Sequence, residues 1–177
     1  MRVVGIDPGR DGGMADLVRE AGGFRVLRVV DTPFYGEGTK AEPDVSRAVS
    51  WITAGGPPAL VMIEQIGFMP TDRFQIFSAM RLMRYFGEIV GGVKGAHLPL
   101  KTVRPADWQK RVLGSPEKGG TKEGRRKRVK SKSIAECRKL YPAFDLVPPN
   151  CKNPHDGWSD AILIAHYGLL HVCGGQV

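Results

Sequence analysis

The sequence predicts one α/β domain over residues 1–177, built on a five-stranded mixed sheet flanked by helices, with three antiparallel strands first and parallel strands after them. Three short β-like segments open the chain, and two apolar runs further along are typical of buried strands. Segments with helical periodicity separate those runs, as in strands joined by crossover helices. Neither an internal repeat nor a second core is evident, so we expect a single domain.

The first three strands are predicted to form an antiparallel meander. The apolar run over 3–6 stops at Asp7 and precedes a Pro-Gly pair, as in a buried strand that ends in a turn. Gly22-Gly23 separates β-like segments over 14–19 and 24–30 and is a suitable pair for a hairpin. Consecutive segments joined in this way become neighbouring antiparallel strands.

Helices and strands alternate along the rest of the chain, where glycine, proline and capping residues set the predicted boundaries. The predicted elements are, in order, a helix from 43 that stops at 55, a strand over 59–63 that ends on Glu64, a helix from Asp72 to Gly91-Gly92, a strand over 96–103, a short helix over 105–113, a helix over 133–141, and a last helix from 155 or 156 to 171.

Positive charge is concentrated in one segment, which we predict to be a basic loop at about 114–132. The formal net charge is +8, and the stretch from 118 to 132 carries eight basic residues and one acidic residue, so the rest is nearly neutral. A focused basic segment indicates a polyanionic partner, although a solvated flexible loop is the alternative. The candidate contacts are Lys122, Arg125, Arg126, Lys127, Arg128, Lys130 and Lys132.

Composition excludes some classes of protein. No apolar run approaches the roughly 20 residues that span a bilayer, so no membrane association is expected. The beginning of the chain lacks the pattern of a secretory signal. Three scattered cysteines without CxxC spacing argue against a disulfide framework. We therefore expect a cytoplasmic protein.

Four carboxylates stand at the ends of otherwise apolar segments. Asp7 follows the first strand and Glu64 ends the fourth, while Asp156 and Asp160 share one face at the start of the last helix. A desolvated carboxylate costs several kcal/mol unless a cation meets it. Turn capping is the alternative for each strand-end residue, and helix capping is the alternative for Asp156.

Together the four carboxylates could form an oxygen-ligand site for Mg²⁺ or Mn²⁺. Two such ions roughly 4 Å apart can activate water and stabilise the leaving oxygen of a phosphodiester. An anionic site beside a basic segment suits a substrate whose phosphates the basic residues attract.

Three motifs, taken in order, resemble those of RuvC-type Holliday-junction resolvases of the RNase H-like superfamily. Val4-Gly5-Ile6-Asp7-Pro8-Gly9 resembles the opening motif, Ile63-Glu64-Gln65 the second, and the segment from Asp160 to Ala165 the final helix motif. Each motif alone is weak, but their order is specific and covers most of the chain. The segment from Val103 to Lys110 looks more like phage-encoded members than bacterial ones.

The resemblance implies roles by position. Asp7 would bridge two metal ions, with Glu64 beside it and Asp160 completing the site. Bacterial members place the remaining ligand three residues before the final Asp, where this chain has Gly157. Asp156 lies four residues before Asp160, and this spacing is similar to that of fungal mitochondrial members. His155 is a possible substitute for Asp156 as the ligand. Phe68 matches an aromatic that the family inserts at the junction centre, with loop packing as the alternative.

The expected function is metal-dependent hydrolysis of four-way DNA junctions by a homodimer, whose two sites nick opposing strands. The predicted helix from Asp72 is apolar nearly all round, which makes it a plausible dimer surface. The alternatives are a nuclease for RNA–DNA hybrids or other branched DNA, a non-catalytic nucleic-acid-binding protein, and a sugar-kinase-like ATP-binding protein. The last lacks a second glycine-rich phosphate loop.

Overall fold

The computed structural model describes residues 1–36, 41–66, 73–115 and 119–173, without the side chains of 73–75, 77, 78, 122 and 173. Its strands are β1 (Arg2–Ile6), β2 (Gly13–Glu20), β3 (Gly23–Asp31), β4 (Phe34–Tyr35), β5 (Glu42–Pro43), β6 (Leu60–Glu64) and β7 (Leu100–Val103). Its helices are α1 (Val45–Thr53), α2 (Arg73–Gly95), α3 (Pro105–Val112), α4 (Lys122–Leu140) and α5 (Asp156–Cys173).

Five strands form a mixed sheet in the order β3-β2-β1-β6-β7, and the two-residue strands β4 and β5 pair separately. β1 and β2, and β2 and β3, are antiparallel, whereas β1–β6 and β6–β7 are parallel. The predicted mixed sheet with an antiparallel meander is therefore confirmed. Because Ile6 pairs with Ile63, the carboxyl ends of β1 and β6 lie side by side.

Hydrophobic cores cover both faces of the sheet, which explains why the central strands are apolar without alternation. Val4, Ile6, Val61 and Ile63 pack with residues of α1 and α2 on one face. The alternate residues of the same two strands pack under α3, α4 and α5 on the other face. Among the described helices, none is long and apolar enough to cross a membrane.

Helix α5 lies directly on β1 because small residues line its contact with the strand. A Cβ on Gly5 would stand 2.3 Å from both the Ala161 carbonyl oxygen and the Ala165 nitrogen. Only glycine at this position allows that approach. The contact fixes the beginning of α5 close to the end of β1.

The predicted basic loop is wrong over most of its length, because residues from Lys122 onward belong to α4. Thr121 accepts a hydrogen bond from the Gly124 N–H (3.1 Å), and Glu123 pairs with Lys127 one turn later. Lysine and arginine are good helix formers, so the lack of an apolar repeat near 122–128 was misleading. Val129 and Ile134 further along attach the helix to the core.

The boundary between α2 and β7 also differs from the prediction. The helix continues through Gly91-Gly92 to Gly95, and the strand covers only Leu100–Val103 rather than 96–103. Glycine suits position 92 within the helix because α1 passes close by: a Cβ there would stand 2.3 Å from Val45 Cγ1. The left-handed turn follows later, at His97 (φ 54°).

Candidate active site

Asp7 occupies the turn that follows β1. The Gly9 N–H donates to its Oδ1 (3.0 Å), and the Thr32 hydroxyl donates to its backbone carbonyl (3.0 Å). Burial raises the pKa of Asp7, and the charge of Asp156 raises it further, against the lowering effect of the Gly9 hydrogen bond. The turn thus holds a carboxylate that is costly to ionise without a cation.

Glu64 ends β6, beside Asp7. The buried indole of Trp108, on α3, donates from Nε1 to Glu64 Oε1 (2.7 Å). Burial, followed by the charge of Asp7, raises the pKa of Glu64 to about 8, even though the indole hydrogen bond favours the charged form. Trp108 therefore orients Glu64 without neutralising it.

The start of α5 carries the other two carboxylates. His155 Nδ1 accepts from the Trp158 N–H (3.3 Å), so His155 occupies the capping position and Asp156 begins the helix itself. The interpretation of Asp156 as the helix N-cap is therefore wrong. His155 is also turned towards another partner, since its Nε2 lies 3.7 Å from Asp31 Oδ1.

Gly157 explains why the carboxylates on α5 are four residues apart. A Cβ on Gly157 would stand 2.1 Å from the Asp11 carbonyl oxygen and 2.8 Å from Gly12 Cα. The turn after β1 thus packs on the backbone of α5 at the position where the resemblance to bacterial resolvases places a ligand. A side chain does not fit there, whereas the preceding position is free to carry Asp156.

Asp156 forms an ion pair with Lys130 of α4. Burial alone would raise the pKa of Asp156, but the hydrogen bond and charge of Lys130 hold it below its usual range. Lys130, which is also a predicted polyanion contact, thus lies against a carboxylate of the site.

Asp160 is one turn further along α5 and is more deeply buried. Burial raises its pKa to about 7, and the charges of Asp7 and Asp156 add to the rise. The interaction with Ser133 acts in the opposite direction and lowers the pKa. Asp160 Oδ1 and the Ser133 hydroxyl are both buried, yet neither makes a hydrogen bond of ordinary geometry with the described residues. Asp160 thus carries a buried acceptor atom without a well-formed hydrogen bond in the part of the chain that the structure describes.

The charges of the four predicted carboxylates influence one another: Asp7 raises the pKa of both Glu64 and Asp160, and Asp156 raises that of Asp7. Within the described residues, an ion pair forms at Asp156 but at none of the other three. No three His, Cys, Asp or Glu side chains among these residues lie close enough to form a ready metal cluster. Carboxylate oxygens are nevertheless suitable ligands for a divalent cation, which would relieve their mutual repulsion. One of them also lacks a well-formed hydrogen bond among the described residues.

The predicted polyanion contacts lie mainly on α4. Arg125, Arg126, Lys127, Arg128 and Lys132 are exposed, and Lys130 is half-buried. Arg125 and Arg128 donate to the carbonyls of Gly120 and Gly119 (3.0 and 2.8 Å), which fastens the preceding turn to the helix. A groove of about 890 Å³ separates this part of α4 from α3. The structure describes only the backbone of Lys122, and Phe68 lies outside the described residues.

Sequence reasoning missed the contacts that support the carboxylates. Trp108 is fully buried, as a core residue would be, but its indole also bonds Glu64. A buried tryptophan needs an acceptor for its N–H, so a lone Trp on a polar helix after β7 was a usable signal. Ser133 carried no comparable signal, because its burial depends on α4 packing against α5.

Comparison with solved structures places the chain in the RNase H-like fold. A Thermus thermophilus RuvC structure matches with a TM-score of 0.64 and 19% identity, covering 99% of this chain and 97% of that one. T. thermophilus RuvC in complex with a Holliday junction substrate matches with a TM-score of 0.63 and 17% identity, over the same shares. The fowlpox virus Holliday junction resolvase gives a TM-score of 0.54 at 14% identity, covering 97% of this chain and 99% of that one.

No family model and no curated protein matches the sequence. The arrangement of the sheet and helices is thus similar to that of RuvC-type resolvases. At these sequence identities the comparison shows the fold alone.

Proposed function

We propose that this chain is a metal-dependent endonuclease that resolves four-way DNA junctions by hydrolysing phosphodiester bonds. The observation that carries the proposal is the group of four mutually repelling carboxylates where β1, β6 and α5 meet. Their position in an RNase H-like fold, and the junction bound by the T. thermophilus RuvC structure, favour branched DNA as substrate.

Asp7, Glu64, Asp156 and Asp160 would hold two Mg²⁺ ions, for which Mn²⁺ would substitute. When bound, the ions would supply an activated water and neutralise charge at the leaving oxygen. The protein contributes orientation: the Gly9 N–H fixes Asp7, and the Trp108 indole fixes Glu64. Lys130 holds Asp156 and lies close enough to lower the pKa of Asp160.

The exposed basic residues of α4 would bind backbone phosphates on the approach to this site. Junction resolution needs two coordinated nicks, which a two-fold homodimer would supply. Helix α2 supports that assembly because Met80 and Met83 are 59% and 47% exposed. A lone apolar side chain at a surface is ordinary, but two on one stretch of helix favour an interface.

Cleavage of a synthetic four-way junction by the wild type and by Asp7→Asn tests the proposal. The wild type should cut in Mg²⁺, while Asp7→Asn should lose cleavage but bind the junction as tightly or more tightly, because it removes negative charge that faces phosphate. Loss of both folding and binding in Asp7→Asn would show that Asp7 is structural. Glu64→Gln and Asp160→Asn should behave alike, and the three losses should not add.

A further inference from the structure

One carboxylate of the site differs from the others in how it is held. A backbone N–H bonds Asp7, an indole bonds Glu64 and an ammonium bonds Asp156. Asp160 Oδ1 is buried and accepts no hydrogen bond of ordinary geometry from the described residues. A buried acceptor left unpaired costs about 1–3 kcal/mol, so the molecule contains an unmet interaction at its site.

Ser133 carries the complementary unmet group. It is fully buried on α4, and its hydroxyl makes no hydrogen bond of ordinary geometry within the described part of the chain, although it lies near enough to Asp160 to lower the pKa of that carboxyl. A helical serine commonly bonds the carbonyl one turn before it, but this one does not. Alanine would avoid an unsatisfied hydroxyl at this position.

The surface of α4 that faces α5 places these two groups together. Lys130, Ser133 and Cys137 follow one another at three- and four-residue spacing, so they share that face. Lys130 pairs with Asp156, and the charge of Asp160 adds to burial in raising the pKa of the Cys137 thiol to about 12. Ser133 lies between them and itself favours the charged form of Asp160.

We propose that Ser133 is the positioning residue of Asp160: with a cation in the site, its hydroxyl would donate to Asp160 Oδ1 and leave the other carboxylate oxygen free to serve as a ligand. A hydroxyl suits this role because it is neutral. A lysine in its place would cancel the charge that attracts the metal. The proposal rests on the proposed metal site, but it does not require a particular DNA substrate.

The test compares Ser133→Ala, Ser133→Thr and the control Ser131→Ala, which removes an exposed hydroxyl from the same helix. The first readout is the rise in melting temperature that Mg²⁺ causes without DNA. The second is the Mg²⁺ concentration for half-maximal junction cleavage, measured together with kcat and KM for the junction.

Ser133→Ala should reduce the Mg²⁺-induced rise and increase the half-saturating Mg²⁺ concentration about tenfold, as the loss of a metal ligand's hydrogen-bond partner commonly does. KM for the junction should stay unchanged. Ser133→Thr keeps the hydroxyl and should behave like the wild type, as should Ser131→Ala. In an Asp160→Asn background, Ser133→Ala should have no further effect on the Mg²⁺-induced rise.

Wild-type metal dependence in Ser133→Ala would overturn the proposal and leave Ser133 a packing residue. The proposal would also be overturned if Ser133→Ala reduced the Mg²⁺-induced rise in melting temperature as much in the Asp160→Asn background as in the wild type. A wild-type protein that gains no melting temperature from Mg²⁺ overturns this proposal together with the metal site. One that gains melting temperature but cuts no DNA overturns only the proposed function.

Discussion

Replacing Glu64 by glutamine should stabilise the metal-free protein while removing its cleavage activity. The Glu64 pKa is raised from 4.5 to about 8, first by burial and then by the charge of Asp7. The folded state therefore binds the Glu64 proton more tightly than the unfolded chain. For such a group, stability falls as pH rises from about 4.5 to 8, and the full penalty is present above pH 8.

The size of the effect follows from 1.36 kcal/mol per pKa unit. Glu64 should cost the metal-free fold about 3 kcal/mol at pH 7 and about 1 kcal/mol at pH 5, relative to a neutral isostere. Glutamine keeps an oxygen that can accept the Trp108 hydrogen bond, so the change removes the ionisable group and little else. The gain in stability should therefore grow with pH across this window.

Urea denaturation in EDTA at pH 5 and pH 7 measures the difference. Glu123→Gln is the matched control, because that exposed carboxylate pairs with exposed Lys127 and should change stability by less than about 0.5 kcal/mol. Added Mg²⁺ should stabilise the wild type more than Glu64→Gln. A Glu64→Gln protein that is less stable than wild type at pH 7 would refute the reasoning, since the carboxylate would then serve the fold.

Three further predictions concern the rest of the site and its approach. Asp156→Asn should reduce cleavage by orders of magnitude with little change in melting temperature, and full activity at low Mg²⁺ would exclude Asp156 as a ligand. Gly157→Ala should lower the free energy of unfolding by about 1–3 kcal/mol or more in urea titrations, because its Cβ meets the Asp11 backbone; wild-type stability would mean that the turn yields. Neutralising four residues of α4 should flatten the slope of log affinity against log salt by about two to four, for junction and duplex alike. The four residues are Arg125, Arg126, Lys127 and Arg128. An unchanged slope would show that they do not contact DNA.

The sheet and the strand-end carboxylates were predictable because they depend on local patterns. An apolar run that stops at Asp7 or Glu64 identifies a buried strand and the edge where it ends. Once the strands are placed in parallel, the two carboxylates must be neighbours. The same reasoning places Asp160 at the start of a buried helix.

The supporting contacts and the form of the basic segment were not predictable in the same way. Lys130 belongs to a run of basic residues, and nothing local separates it from Lys127, which stays exposed. Only the packing of α4 on α5 directs it to Asp156. Likewise, Gly92 ends a helix by propensity, but the structure places it inside α2, where the close approach of Val45 leaves no room for a side chain.

Cleavage of a synthetic four-way junction, compared in one experiment with a plain duplex and an RNA–DNA hybrid of matched sequence, tests the central claim most directly. The account predicts Mg²⁺-dependent, paired nicks in opposing strands of the junction, little cutting of the other two substrates, and no cutting of any by Asp7→Asn. Equal cutting of duplex or preferential cutting of the hybrid would assign the site to another nuclease substrate. Junction binding without cleavage in either Mg²⁺ or Mn²⁺ would contradict the proposal that this protein is an enzyme.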